Sequence, residues 1–295
     1  MRLLRRSLLF IPANIPGMLQ NADVFDADSI IFDLEDAVSI NEKDAARILL
    51  SHYLSKFPYE KNMEIIVRIN SYDFYDLFFN DLNILPFEKI DTIMLPKADS
   101  SSLKALTEFL DLKEKELKLN KQIGIIPIIE LAKSLMEIDT IAKEKRVTGL
   151  LLGAEDLAAD MFFQRTTSGD EILFARSLVV TAARAYKLDA IDTPFTDVEN
   201  LYGLNNDSAK AKSFGLNAKA AIHPNQITTI NRVFSPTKEQ IKYAKIIVKK
   251  AKEAEEKGLG AFSYQNKMID KPIINRALSI LKKAELWNLE DYNDD

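Results

Sequence analysis

The stretch 124–160 constrains this chain most. Two apolar runs, 123–129 and Gly149–Leu152, each lead into acid: Glu130 directly after the first, Glu155-Asp156 shortly after the second. A helix-like segment, 131–145, lies between them. Parallel neighbours need a crossover of this kind, whereas antiparallel ones can be joined by a short turn. The acids therefore fall on one rim of a parallel sheet, which suggests a divalent-metal site.

Six further short runs occupy residues 7–11, 29–34, 64–69, 92–95, 190–192 and 218–222, the seventh in chain order being the weakest. They are continuously apolar rather than alternating, as expected of strands buried on both faces of a parallel sheet. Helical signals fill most gaps. Ala45, Ile48, Leu49 and Tyr53 recur at helical spacing within 42–56, and 103–119 follows a Ser-rich cap at 100–102. Leu173, Phe174, Leu178, Ala182 and Ala185 share a face within 170–186, and 200–214 stops at Gly215, a natural C-cap. Eight strands alternating with helices predict an α/β fold, a (β/α)8 TIM barrel over residues 1–232; a doubly wound open sheet is the alternative.

After His223 the pattern changes. Thr237 and Gln240 form a capping box. The helix they open carries Ile241, Ala244, Ile247, Ala251 and Ala254 on one face and closes at Gly258. Residues 258–272 read as a polar turn, and a last helix spans 272–287. Residues 233–295 are thus expected to form a C-terminal helical extension.

Composition narrows the function. A net charge of −5 argues against nucleic acid as partner, since a phosphate polymer needs an excess of Lys and Arg on one face. The absence of cysteine removes disulfides, thiolate metal sites and cysteine nucleophiles, and fits a cytoplasmic location. Arg2, Arg5 and Arg6 precede an apolar run too short, before Pro12, for a secretory signal. No run approaches the ~18 apolar residues of a membrane-spanning helix.

In a barrel, the catalytic groups sit at the C-terminal strand ends. Those positions hold Pro12, Glu35-Asp36, Arg68 with Asn70, Lys97, Glu130, Asp156 and His223. Glu130 and Asp156 are the best metal pair, and carboxylate oxygens favour Mg²⁺ or Mn²⁺ over Zn²⁺. Equally, one could cap a helix while the other pairs with a lysine. Arg68, inside an apolar run, suits either bidentate carboxylate recognition or a core ion pair. Glu35 and Asp36 would orient metal-bound water, cap a helix or pair with Lys97. His223 serves a hydrogen-bonded structural role as readily as a catalytic one. With only His52 and His223 in the chain, a multi-histidine metal site is excluded.

Together, RRSLLFIPAN, IIFDLEDAV, IIVRIN, MLPKAD, IPIIE, GAEDLAAD, AIHPNQI and GAFSYQNKMID resemble the citrate lyase beta subunits and their relatives in the HpcH/HpaI aldolase superfamily. The resemblance covers nearly the whole chain and rests on the order and spacing of these motifs. It implies a barrel that binds Mg²⁺ and makes or breaks carbon–carbon bonds in acyl-CoA or acyl-carrier thioesters of citryl, malyl or citramalyl type. It further implies Glu130 and Asp156 as Mg²⁺ ligands and Arg68 as the substrate arginine. Asp270, which alone reads as a helix cap, would serve acid–base chemistry in a neighbouring subunit. A homotrimer or dimer of trimers, with the extension packed on a neighbour, follows from that. Phe10, Arg6 and Pro224 lie near where relatives hold the nucleotide, though each also suits packing or surface roles. The His-Pro of AIHPNQI resembles stand-alone relatives more than subunits of the lyase complex, where Asn-Pro is expected. The alternatives are a malate-synthase-like condensing thioesterase and a non-catalytic subunit of such a complex.

Overall fold

The computed structural model describes residues 5–57, 59, 63–256 and 258–289. Its centre is a closed parallel barrel of eight strands in sequential order. They are β1 (Ser7–Pro12), β2 (Ser29–Asp33), β3 (Glu64–Arg68), β4 (Thr92–Leu95), β5 (Gly124–Ile129), β6 (Gly149–Leu152), β7 (Asp189–Asp192) and β8 (Ala218–Ala221). Pairing of Leu8 with Ala220 closes β1 onto β8. Each apolar run predicted as a strand is one, and the fold is a (β/α)8 barrel.

The continuous runs form strands because both faces are buried. On β2, Ile31 joins Leu8, Ile66, Met94, Ile126 and Leu151 inside the barrel. Its neighbours Ile30 and Phe32 pack outward in the larger cluster that includes the surrounding helices. The seventh run was weak in sequence because β7 begins and ends in buried aspartates. Both are ion-paired, Asp189 with Arg5 and Asp192 with Arg176 and Lys219.

The N-terminal end of the barrel is plugged. Arg5 grips Glu64 through two 2.6 Å hydrogen bonds, and the Ser29 and Thr92 hydroxyls each donate to Glu64 at 2.7 Å. Desolvating these charges is costly, and full hydrogen bonding of the carboxylate offsets that cost. Open space for a ligand is left at the other rim.

Two sequence expectations are corrected. The segment 131–145 is not one helix but two, Ala132–Met136 and Ile138–Lys143. They break at Glu137, whose carboxylate instead accepts from the Ser100 N–H and hydroxyl at 2.8 and 2.6 Å. The supposed polar turn at 258–272 contains a hairpin of Phe262–Tyr264 with Lys267–Ile269. Gln265 and Asn266 turn it with φ of 48° and 59°, the left-handed pair a type I′ turn requires.

The chain forms two compact units, one ending at Phe234 and the other beginning at Ser235. In the second, the helices Lys238–Glu256 and Lys271–Leu286 share a small core with the hairpin, built on Ala244, Ile247, Ile269 and Ala277.

Candidate active site

At the C-terminal rim of the barrel lies a cavity of about 390 Å³. Phe10, Arg68, Glu130, Asp156 and Thr193 line it, so side chains in or shortly after five different strands converge there.

Arg68 ends β3 directly beside Asp33, which ends β2; the two are register partners. The guanidinium forks onto Asp33, Nε to Oδ1 at 2.7 Å and a terminal nitrogen to Oδ2 at 2.6 Å. Asp33 also accepts the backbone N–H of Glu35 at 2.8 Å and of Ala37 at 3.1 Å, so it shapes the loop after β2 as well. The other guanidinium nitrogen stands 2.9 Å from Glu35 Oε2 and 3.7 Å from Asp36. The Phe10 ring lies 4.9 Å from the cation. Burial works against the charge, but Asp33, then Glu35 and Asp36, outweigh it and raise the pKa above the usual arginine range. Of the two roles considered from sequence for Arg68, the ion pair is seen, and the anchored guanidinium also lines the cavity.

Glu35 is buried behind that arginine, and burial pushes its carboxyl up against the opposing pull of Arg68 and Lys97. The Lys97 ammonium donates to Glu35 Oε1 at 3.0 Å. Lys97 sits in the left-handed region at φ 47°, and its backbone N–H donates to Glu130 Oε1 at 2.6 Å. Asp36 is largely exposed at the cavity edge.

Glu130 follows β5 and is only 3% exposed. Burial pushes its carboxyl up to about 8, with the neighbouring Glu35 and Asp156 adding to the rise. Across from it, Gly153 leaves no side chain in the way. The helix Ala154–Asp160 starts there, and Asp156 occupies its first turn rather than the strand end itself. Asp156 makes no hydrogen bond or ion pair among the described residues, and Glu130 meets the backbone N–H of Lys97 rather than its ammonium, so the alternative lysine pairing of one of the two acids is not seen among them.

Among the described residues, the cations facing Asp33, Glu35, Asp36, Glu130 and Asp156 are Arg68 and Lys97, with Lys43 behind the loop on the Leu34 and Glu35 carbonyls. No group of three or more metal-ligating side chains occurs among the described residues. Two carboxylates on one cavity, one of them buried without a neutralising cation of its own, nonetheless fit Mg²⁺, which commonly takes one or two carboxylates and keeps its water.

The remaining candidates are scattered. Pro12 lines the cavity. Asn70 instead ties the Leu34 carbonyl to Asp81. His223 Nδ1 accepts from Asn225 N–H at 3.2 Å and caps the short turn containing Pro224, beside the cavity-lining Ile222. His52 is exposed on the helix Lys43–Lys56. Arg6 precedes β1, at the end of the barrel opposite the cavity, and forks onto Asp28 at 2.9 and 2.7 Å. In the second unit, Asp270 caps its helix, accepting from the Ile273 N–H at 3.4 Å.

Sequence reasoning passed over Asp33, Gly153 and Thr193. For Asp33 there was a signal: a lone charge within one apolar run, matched by Arg68 within the next.

The HpcH/HpaI aldolase/citrate lyase family matches residues 6–224. Citrate lyase subunit beta of Haemophilus influenzae is 37% identical over 290 residues, covering 96% of this chain and 97% of its own. Mitochondrial citramalyl-CoA lyase of Mus musculus is 31% identical, covering 95% of this chain and 86% of its own. Among solved structures, Mycobacterium tuberculosis CitE, in complex with magnesium, acetoacetate and coenzyme A, superposes with a TM-score of 0.78. That pair is 27% identical over 97% of this chain and 100% of CitE.

Proposed function

The chain belongs to the HpcH/HpaI aldolase/citrate lyase family, and we propose that it is a Mg²⁺-dependent carbon–carbon lyase. Its substrate is a short 3-hydroxy-acyl-CoA of citryl, malyl or citramalyl type, and its products are an acyl-CoA and a 2-keto acid. The observation that carries this reading is a single cavity with an anchored guanidinium, Arg68, and a carboxylate pair, Glu130 and Asp156.

Glu130 and Asp156 would hold Mg²⁺, or Mn²⁺ in its place, with Glu35 and Asp36 placed to orient water beside it. Bound there, the ion would supply Lewis-acid stabilisation of the hydroxy-acid oxygens. A general base takes the hydroxyl proton, the O–H electron pair forms the carbonyl of the keto acid, and the C2–C3 bond breaks with its electron pair moving into a thioester enolate. Arg68 stabilises the enolate oxygen as charge develops, and its fork onto Asp33 fixes its position beforehand. Phe10, Ile128 and Leu151 give the cavity an apolar wall that excludes water. Asp270, supplied by a neighbouring subunit of a homotrimer or hexamer, returns a proton to the enolate carbon. Phe10, which lines the cavity, and Pro224, in the turn after the cavity-lining Ile222, remain the proposed thioester contacts; Arg6, committed to Asp28, adds nothing to that reading. No helix among the described residues is long and apolar enough to cross a membrane, and we place the enzyme in the cytoplasm.

A panel of hydroxy-acyl-CoA thioesters, incubated with the purified chain and Mg²⁺, tests the proposal. Keto acid should form while CoA stays esterified. Release of free CoA would favour the condensing thioesterase. No turnover of any thioester would favour a non-catalytic subunit. Unchanged turnover by Glu130→Ala would remove the metal assignment.

A further inference from the structure

Thr193 directly follows β7 and is buried at 1% exposure. Its hydroxyl accepts the backbone N–H of Ala154 at 3.2 Å. Ala154 opens the short helix that carries Asp156, and the N-cap there is Gly153, which has no side chain to cap with. The first N–H groups of a helix lack intrahelical partners, so an orphan here would stay buried and unsatisfied. The Thr193 hydroxyl takes that place from the neighbouring strand. On the other side, Gly153 N–H donates to the Ile129 carbonyl at 3.1 Å. The helix start is thus slung between the ends of β5 and β7.

The β7 anchor is itself held hard. Lys219 of β8 donates to the Thr193 carbonyl at 2.7 Å, to Asp192 at 2.6 Å and to Asp207 at 2.7 Å. Arg176 forks onto Asp192 with two 2.9 Å bonds and reaches Asp207 at 2.6 Å. All four charged side chains are buried, and none of them lines the cavity. Clamped in this way, the Thr193 backbone cannot follow the helix if the helix shifts. Asp156, by contrast, has no hydrogen-bond or ion-pair partner for its side chain among the described residues.

We infer that Thr193 is a positioning residue for metal binding: its hydroxyl, fixed by the Lys219 network, sets where the helix start places Asp156. This rests on the metal role proposed above for Asp156. Partners that orient metal ligands typically carry about 10–100-fold of metal affinity.

The test is calorimetric titration of Mg²⁺ into the full chain without any thioester. Thr193→Val keeps the shape and removes the acceptor; it should weaken Mg²⁺ binding roughly tenfold. Thr193→Ser retains the acceptor and should stay within about twofold of wild type, far inside the effect of losing the partner. Should the valine variant not fold, Thr193→Ala makes the same comparison with Ser. Asp156→Asn serves as the control for the underlying reading. Wild-type affinity in Thr193→Val together with weakened binding in Asp156→Asn overturns the positioning role. A loss of kcat/KM at wild-type Mg²⁺ affinity also overturns it, because Thr193 would then be touching substrate instead. Wild-type affinity in Asp156→Asn locates the failure in the metal assignment, and the inference falls with it.

Discussion

A Cβ added to Gly153 would stand 2.5 Å from Glu130 Oε2 and 2.6 Å from the Glu130 Cβ. Space, not backbone conformation, fixes this glycine, since its φ of −96° is open to any residue. The carboxylate tip could swing aside, but the Cβ and the nearby Ile128 Cγ2 at 2.8 Å cannot. Gly153→Ala should therefore displace Glu130 bodily and cost about 1–3 kcal/mol as an overpacked site. Mg²⁺ binding should weaken in the same variant. Titration calorimetry and urea denaturation check the two effects, and wild-type Mg²⁺ affinity would refute the close fit.

The fork between Arg68 and Asp33 makes a second prediction. A lysine at position 68 keeps the charge but cannot span both carboxylate oxygens while still presenting a donor to the cavity. Arg68→Lys should lose roughly 10²–10³ in kcat, the scale of one transition-state donor, with KM moved far less. Asp33→Asn keeps the shape but turns one acceptor into a donor facing the guanidinium, and should lose kcat to an intermediate degree. Steady-state kinetics on both variants decide it; full kcat in Arg68→Lys would sink the enolate role.

Particular residues show how much was legible in advance. The barrel could be read because strands buried on both faces leave continuous apolar runs, and only β7, bounded by Asp189 and Asp192, was faint. Glu130 and Glu35 stood out as charges just after apolar runs, and Arg68 as a charge within one. Asp33, also inside a run, was passed over because its role exists only once β2 lies beside β3 and pairs it with Arg68. Gly153 and Thr193 carry no charge, and their contributions, an absent Cβ and a single hydroxyl, exist only once β5, β6 and β7 are side by side. The hairpin was hidden because its strands have three residues each and its Gln265-Asn266 turn has no glycine.

Asp207 gives a pH prediction. Burial alone would push its carboxyl up, but Lys219 and Arg176 outweigh burial and hold it down at about 2, against an ordinary 3.8. A depressed folded-state pKa means stability that is complete above the ordinary value and lost as pH falls through the folded one. Asp207→Asn leaves two buried cations short of a partner and should cost about 3–5 kcal/mol near pH 7. That gap to wild type should shrink as pH falls from 3.8 to about 2, because wild type protonates the same carboxyl there. Guanidinium denaturation at several pH values measures it. A gap that is constant across the range would mean Asp207 is not held ionised by Lys219 and Arg176.

Lys97 separates a backbone role from a side-chain role at one position. Its left-handed φ of 47° aims its N–H at Glu130, while its ammonium reaches Glu35. The left-handed region costs a residue with a Cβ about 1–2 kcal/mol, and glycine escapes that cost. Lys97→Gly should therefore keep the N–H on Glu130 and hold Mg²⁺ as wild type does. Lys97→Ala keeps the strain and lacks the ammonium, so it should be less stable than the glycine variant by about 1 kcal/mol. Both variants remove the cation beside Glu35, whose carboxyl burial already pushes up, so both should lose kcat alike. Paired melting curves and kinetics are enough to check this. Equal stability of the two variants would remove the strain, and a kcat loss confined to alanine would remove the role of the ammonium.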